Sequence, residues 1–129
     1  MTSENSTSNQ SGIRVLPHDR AQVHPQEWGA LTWYANRELG NSEDVTVGRC
    51  LLNPGGSNPR HYHPNCSEVL VVLQGKVRHT IDGGGDTEMN VGDTVTIAPN
   101  VWHQARNVGD TEALLLIVFN SADRETVGE

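Results

Sequence analysis

Between Val45 and Phe119 the chain breaks into short apolar runs: Val45–Leu52, Glu68–Leu73, Lys76–Ile81, Thr87–Val91, Thr94–Ala98, Gln104–Asn107 and Ala113–Phe119. Val, Ile, Leu and Thr dominate the runs, and every break carries Gly, Pro, Asn or Asp, the residues that punctuate strands. Nothing after residue 12 shows a helical period. The stretch Asp82-Gly83-Gly84-Gly85-Asp86 is the clearest hairpin signal, and Asn107-Val108-Gly109-Asp110 reads as another. Many short strands at even spacing predict an all-β fold, a sandwich or a barrel.

The flanks read differently. Met1–Gly12 is almost wholly Ser, Thr, Asn and Gln, too polar to offset its ordering entropy, so a disordered tail is expected. Ile13–Glu27 carries Pro17 and Pro25 and reads as an irregular arm, and Ala30–Leu39 as a first strand. The division is a tail over 1–12, an arm and first strand over 13–44, and a barrel over 45–125. At 129 residues there is room for a single core.

Charge and cysteine content narrow the function. The net charge is -7, with nine Lys plus Arg scattered singly, which excludes a nucleic-acid surface built on clustered cations. No apolar run reaches bilayer length, and the polar start lacks a signal-peptide core, so a cytoplasmic protein is expected. Cys50 and Cys66 are too few for a disulfide scaffold and read as free thiols. Asn5, Asn9 and Asn65 stand in glycosylation-acceptor triplets, which read as chance matches without a secretion signal.

The chemistry concentrates in the segment Gly55–Gly75 and in the run ending at His103. His61 and His63 stand two apart, so on a strand both imidazoles face the same side. Glu68 follows a short Pro-containing turn, and His103 arrives at the edge of a later strand. Three imidazoles and one carboxylate converging from a sheet suit one divalent ion such as Fe, Mn, Ni, Zn or Cu, with positions left open. Without a thiolate in the set, a closed structural zinc site does not fit.

These residues also carry a family resemblance. Gly55, five residues, His61-x-His63, four residues, Glu68, six residues, Gly75 resembles the first cupin motif with every position filled. Gly92-Asp93 through His103 to Asn107 is similar to the second, with Ala98 where proline is usual and Asn100 where glycine is usual. Asn tolerates positive φ better than other substitutes, so the turn before His103 can survive. The resemblance runs from about Val45 to Phe119 and is to compact single-domain cupins. It implies a jelly-roll barrel of two antiparallel sheets, a metal between them on His61, His63, Glu68 and His103, and frequently a homodimer.

Other residues qualify as candidates. His79 shares the apolar face of its strand with Val77 and Ile81, so it is a candidate acid–base or supporting group, or a core histidine. Gln74 keeps parity with Glu68 (68, 70, 72, 74) and could reach the cavity as a neutral partner. Arg49 or Arg60 could clamp a carboxylate, though solvated arginines are commoner. Tyr62 has opposite parity to the histidines and should point away. Cys66 is expected to be turn filler and Trp102 an apolar wall or part of a subunit contact, while no role attaches to His18 or His24. Asp123 and Arg124 read as a solvated pair, or as lining of the barrel mouth.

The expected function is a metal-dependent enzyme of dioxygenase, isomerase or lyase type acting on a small oxygenated metabolite. The alternative is a cupin that binds or senses a small ligand without turnover. A purely structural barrel would bury four polar groups without use. The chain is also similar to sugar-acid ring-opening cupins in size and in a Phe-containing last strand followed by Arg. Ile117 stands where those proteins carry Asp two residues before the Phe, which weakens that reading.

Overall fold

In the computed structural model, which describes residues 12–81 and 85–129, eleven strands follow one short 3-10 helix at His18–Arg20. They are β1 (Gln22–Gln26), β2 (Gly29–Ala35), β3 (Thr46–Leu52), β4 (His61–Tyr62), β5 (Glu68–Gln74) and β6 (Val77–Ile81). After them come β7 (Gly85–Met89), β8 (Thr94–Ile97), β9 (His103–Asn107), β10 (Ala113–Phe119) and β11 (Val127–Gly128). Two antiparallel sheets form, in the orders β1-β2-β3-β10-β5-β8 and β11-β4-β9-β6-β7. The sequential strands β5 and β6, β8 and β9, and β9 and β10 each lie in opposite sheets. This is the jelly-roll arrangement, and it closes a core between the sheets.

Alternation along the strands builds that core. In β10, Ala113, Leu115, Ile117 and Phe119 are buried while the residues between them are half-buried. They meet Cys50 and Leu52 of β3, Leu70 and Val72 of β5, and Val77, Met89 and Ala105 from the other sheet. Trp33 of β2 packs edge-on to Phe119, ring centres 6.1 Å apart.

Three expectations change. The arm over 13–27 is not irregular throughout, because β1 pairs with β2 from Gln22↔Trp33 to Gln26↔Gly29. Pro25 is tolerated there since β1 is an edge strand whose outer rim needs no partner. The segment 107–110 is not a hairpin but the crossover from β9 in one sheet to β10 in the other. Asn107 is the device that closes it: its buried amide donates to Leu52 O (2.9 Å) and Thr111 O (2.8 Å), while its oxygen accepts from Gly109 N (2.9 Å). The first strand ends at Ala35 rather than Leu39, and Asn36 starts a loop in which its side-chain oxygen accepts from Leu39 N. Residues 1–11 of the expected tail, and residues 82–84 of the expected hairpin signal, lie outside the described residues; β6 and β7, which flank 82–84 in sequence, pair antiparallel.

Gly48 of β3 sits where the backbone passes under Trp33. A Cβ there would come within 2.3 Å of the indole ring and 2.5 Å of Thr32 O, and the carbonyl cannot give way cheaply. Gly48→Ala is therefore expected to destabilise the fold by about 1–3 kcal/mol, read as a lowered urea midpoint with unchanged slope. An unchanged midpoint contradicts the packing described for Trp33.

Candidate metal centre

Four strand ends deliver the candidate ligands. His61 opens β4, His63 follows it in the connecting turn, Glu68 opens β5 in the opposite sheet, and His103 opens β9 beside His61. One ligand atom from each lies within 4.8 Å of every other, and His63, Glu68 and His103 are buried. The site thus spans both sheets. Asn100 takes φ 70, the positive value that the sequence allowed for, and its N–H donates to His63 O at 3.0 Å. That bond ties the turn before His103 to the turn after His61.

The imidazoles are oriented from behind. His61 Nδ1 lies 2.6 Å from Pro59 O, His63 Nδ1 2.9 Å from Glu125 O, and His103 Nδ1 2.8 Å from Val101 O. A carbonyl oxygen only accepts, so each Nδ1 carries the proton and each Nε2 is left with its lone pair. His103 Nε2 lies 3.0 Å from Glu68 Oε1, a contact between two lone-pair atoms that needs a proton or a cation between them. His63 Nε2 lies 3.3 Å from the same oxygen, yet without hydrogen-bond geometry and without another partner among the described residues. A buried nitrogen left unpaired is costly. Three Nε2 lone pairs and one carboxylate oxygen turned toward a shared space are a donor set that a divalent cation satisfies. The residues fit a metal, and the donors present suit Fe, Mn, Ni, Zn or Cu.

Electrostatics of the metal-free site follow from burial. Burial alone would raise the Glu68 carboxyl, but the neighbouring His103 and His63 rings outweigh it and hold it down to about 2. Burial, with His103 nearby, holds His61 down to about 4. The carboxylate is therefore charged and His61 neutral at neutral pH, the protonation states that ligation requires.

The remaining candidates separate. His79 lies under the site, 1% exposed, its ring stacked 5.8 Å from that of His103 and held down to about 4 by burial. It does not line the cavity, and neither ring nitrogen has a partner among the described residues. Gln74 does not reach the site. The β5–β10 register slips between Leu114 and Leu115, which breaks the parity with Glu68, and the exposed Gln74 amide donates to Glu112 O at 3.1 Å. Tyr62 points away as expected and packs on Trp102, with Arg60 stacked on the other ring contact at 4.6 Å and paired to Glu129. Arg49 lies 6.0 Å from the Tyr34 ring, outside the cavity. Burial pushes the Cys66 thiol up, as turn filler requires.

One alternative read from the sequence holds, and one feature escapes it. Asp123 does not pair with Arg124; it pairs with Arg37 at 2.9 Å, and Arg124 turns into the cavity instead. Asn65 holds the last segment over the site: its amide donates to Asp123 O (2.8 Å) and its oxygen accepts from Glu125 N (3.0 Å). The strand β11 pairs with β4 and completes that strap, whose Glu125 carbonyl orients His63. Only the Asn65 triplet was visible locally. Beside the ligands lies a cavity of about 240 Å³, walled by Trp28, Leu31, Trp33, Leu70, Leu115, Ile117 and Phe119, with Asn58, Arg124 and Thr126 as polar points.

The chain belongs to the cupin family. The family model described as "Cupin domain" matches residues 48–119, more than half of the chain. Germin-like protein 3-5 of Oryza sativa subsp. japonica is 38% identical over 88 residues, covering 63% of this chain and 39% of that protein. Oxalate oxidase 1 of Hordeum vulgare is 30% identical over 128 residues, covering 94% and 57%. The chain thus spans between two fifths and three fifths of the length of these curated relatives. A solved oxalate oxidase in complex with glycolate superposes with a TM-score of 0.68 at 30% identity, covering 76% of this chain and 53% of that one. An oxalate decarboxylase of Lactobacillus farciminis matches at 0.81 with 19% identity, over 88% of this chain and 35% of that one, a likeness of fold.

The depressed histidines and glutamate set an acid profile for the metal-free protein. Between about pH 6.5 and 4 the unfolded chain binds protons at positions 61 and 79 that the folded chain refuses, so stability falls as pH falls through that window. The contribution of Glu68 is present above its ordinary value of 4.5 and is lost as pH falls toward 2. Urea unfolding of chelator-treated protein is expected to lose on the order of a few kcal/mol between pH 6.5 and 4. His79→Phe should shrink that upper leg; a flat profile contradicts the burial of both imidazoles.

Proposed function

We propose that this cupin is a metal-dependent enzyme acting on a small oxygenated acid. The observation that carries the reading is the set of three Nδ1-tethered imidazoles and Glu68 opening onto an otherwise apolar cavity. His61, His63, Glu68 and His103 would hold one divalent ion, which when bound supplies Lewis acidity and, for Fe, Mn or Cu, redox chemistry with open positions for substrate oxygens. The sheets hold the four ligands rigidly, and the apolar wall keeps bulk water from the substrate. The named oxalate oxidases among its relatives support oxidation or carbon–carbon cleavage of a carboxylic acid as the reaction class; isomerase and lyase chemistry use the same site.

A second reading, a binding or sensing cupin, is favoured by one observation. Apart from the ligands, no side chain lining the cavity is a general acid or base of ordinary pKa, and His79 is shut away behind His103. Turnover of a panel of small hydroxy, keto and dicarboxylic acids, aerobic and anaerobic, separates the two. The enzyme reading expects metal-dependent product formation and the sensing reading expects binding alone. His63→Ala is expected to lower metal affinity at least about 100-fold with the fold retained, measured by elemental analysis after dialysis. Full occupancy in that variant contradicts the ligand assignment.

The homodimer is part of the same reading. Val69, Val71 and Leu73 of β5 and Leu114, Leu116 and Val118 of β10 form the outer face of the larger sheet, and Leu73 is 48% exposed. A contiguous apolar face of this kind marks a protein contact. Leu73→Glu is expected to halve the mass seen by sedimentation; a monomeric parent chain sinks the idea. A cytoplasmic setting also belongs to this reading, supported by the free, buried Cys50 and Cys66. No helix among the described residues is long and apolar enough to cross a membrane.

A further inference from the structure

Arg124 is the cation of the cavity, and among the described residues no carboxylate pairs with it directly, although Glu68 favours its charge through space. Its guanidinium carbon stands 4.4 Å from the Trp33 ring centre and 5.3 Å from that of Phe119, a two-sided aromatic seat. One N–H donates to Thr126 Oγ1. A guanidinium has five N–H donors, and among the described residues no carboxylate is in ion-pair range of this one. Asp123, adjacent in sequence, is committed to Arg37, and Glu68 acts on Arg124 only through space, from among the candidate metal ligands. Burial accordingly lowers the pKa of Arg124, the mark of a charge held away from water.

Its position relative to the ligands is fixed by two shared neighbours. The Thr126 hydroxyl that Arg124 bonds lies 3.2 Å from His63 Nδ1, and the Phe119 ring against Arg124 is also 4.9 Å from the His63 ring. One layer of side chains therefore separates Arg124 from His63, and His61, His63, Glu68 and Arg124 line the same cavity. The volume of about 240 Å³ exceeds the roughly 150 Å³ that accommodates benzene in an engineered apolar cavity. An occupant has room for a carboxylate, a body and a second oxygen function. The body must be apolar, because hydroxyl groups against Leu31, Leu70, Leu115 and Ile117 would lose their hydrogen bonds.

We infer that the cavity binds a carboxylic acid with an apolar body, its carboxylate paired to Arg124 and its second oxygen function facing His61, His63, Glu68 and His103. The second half rests on the proposed metal-dependent function; the carboxylate half does not. The planar fork of Arg124 matches a carboxylate in two parallel hydrogen bonds, and the pair forms in a largely water-free setting. Arg124 is thus a binding residue that selects the substrate class and sets which end of it meets the ligands.

The test uses the full chain, stripped of metal so that a carboxylate cannot ligate a metal instead. Benzoate, benzamide and glucuronate serve as probes, with binding followed by calorimetry and by tryptophan fluorescence, since Trp33 lies under the guanidinium. The wild type is expected to prefer benzoate over benzamide roughly ten- to hundred-fold. Arg124→Gln should erase that preference while metal occupancy and melting temperature stay unchanged. Arg124→Lys, which keeps the charge but not the fork, should retain part of it. Glucuronate should bind more weakly than benzoate. Equal binding of benzoate and benzamide to the wild type, absence of benzoate binding at millimolar concentration, or an undiminished preference in Arg124→Gln overturns the inference. Tighter glucuronate binding overturns the apolar body. Failure of the metal reading shows separately, as wild-type protein that takes up no ion.

Discussion

Three backbone carbonyls, at Pro59, Val101 and Glu125, each accept a hydrogen bond from an imidazole Nδ1–H, and the site depends on those bonds. They settle the tautomer of His61, His63 and His103 and turn three lone pairs toward Glu68. A histidine ring free to rotate would relieve its buried nitrogen by finding another partner. Here the ring is held from behind, and His63 Nε2 stays unpaired as a result. That arrangement is unfavourable by itself, and a divalent cation bound there, as proposed, would relieve it. Stability and ligation are linked through the same atoms.

The carbonyls come from three distant places, which explains why the whole fold is needed. Pro59 precedes β4, Val101 precedes β9 and follows the positive-φ turn at Asn100, and Glu125 belongs to the strap that closes with β11. Glu68 comes from the other sheet, where its neighbours across the ladder are Phe119 and Ile97. Bringing these together requires the two sheets to pack at the distance that Leu70, Leu115 and Phe119 set. The same Phe119 that fills the core forms the floor between His63 and Arg124. Core packing and site geometry are in this sense one constraint.

Much of this was legible in the chain. The runs that became β3, β5, β8 and β10 are short, rich in Val, Ile, Leu and Thr and bounded by turn residues, so their existence and near-boundaries follow from composition and punctuation. The four candidate ligands were legible because their spacing is local to two turns. What was not legible is non-local or register-dependent. The strand β1 is polar on nearly every position and contains Pro25, since an edge strand needs neither a buried face nor all its N–H groups. Parity placed Gln74 with Glu68, and a register slip against β10 undid it, a feature with no signature in β5 itself. The crossover at 107–110 has hairpin composition because the same turn residues serve both purposes. For Arg124 the choice between a solvated pair and the barrel mouth stayed open, because the neighbours that decide it, Trp33 and Phe119, are far away in sequence.

The claim at the centre is that three histidines present their Nε2 atoms to one ion at once. Pulsed electron paramagnetic resonance on the Cu(II)-loaded protein counts imidazoles on the ion directly, through the remote ring nitrogens. The account predicts three coupled imidazoles at one equivalent of copper. A spectrum showing one or two, or copper held only by solvent and carboxylate oxygens, contradicts it.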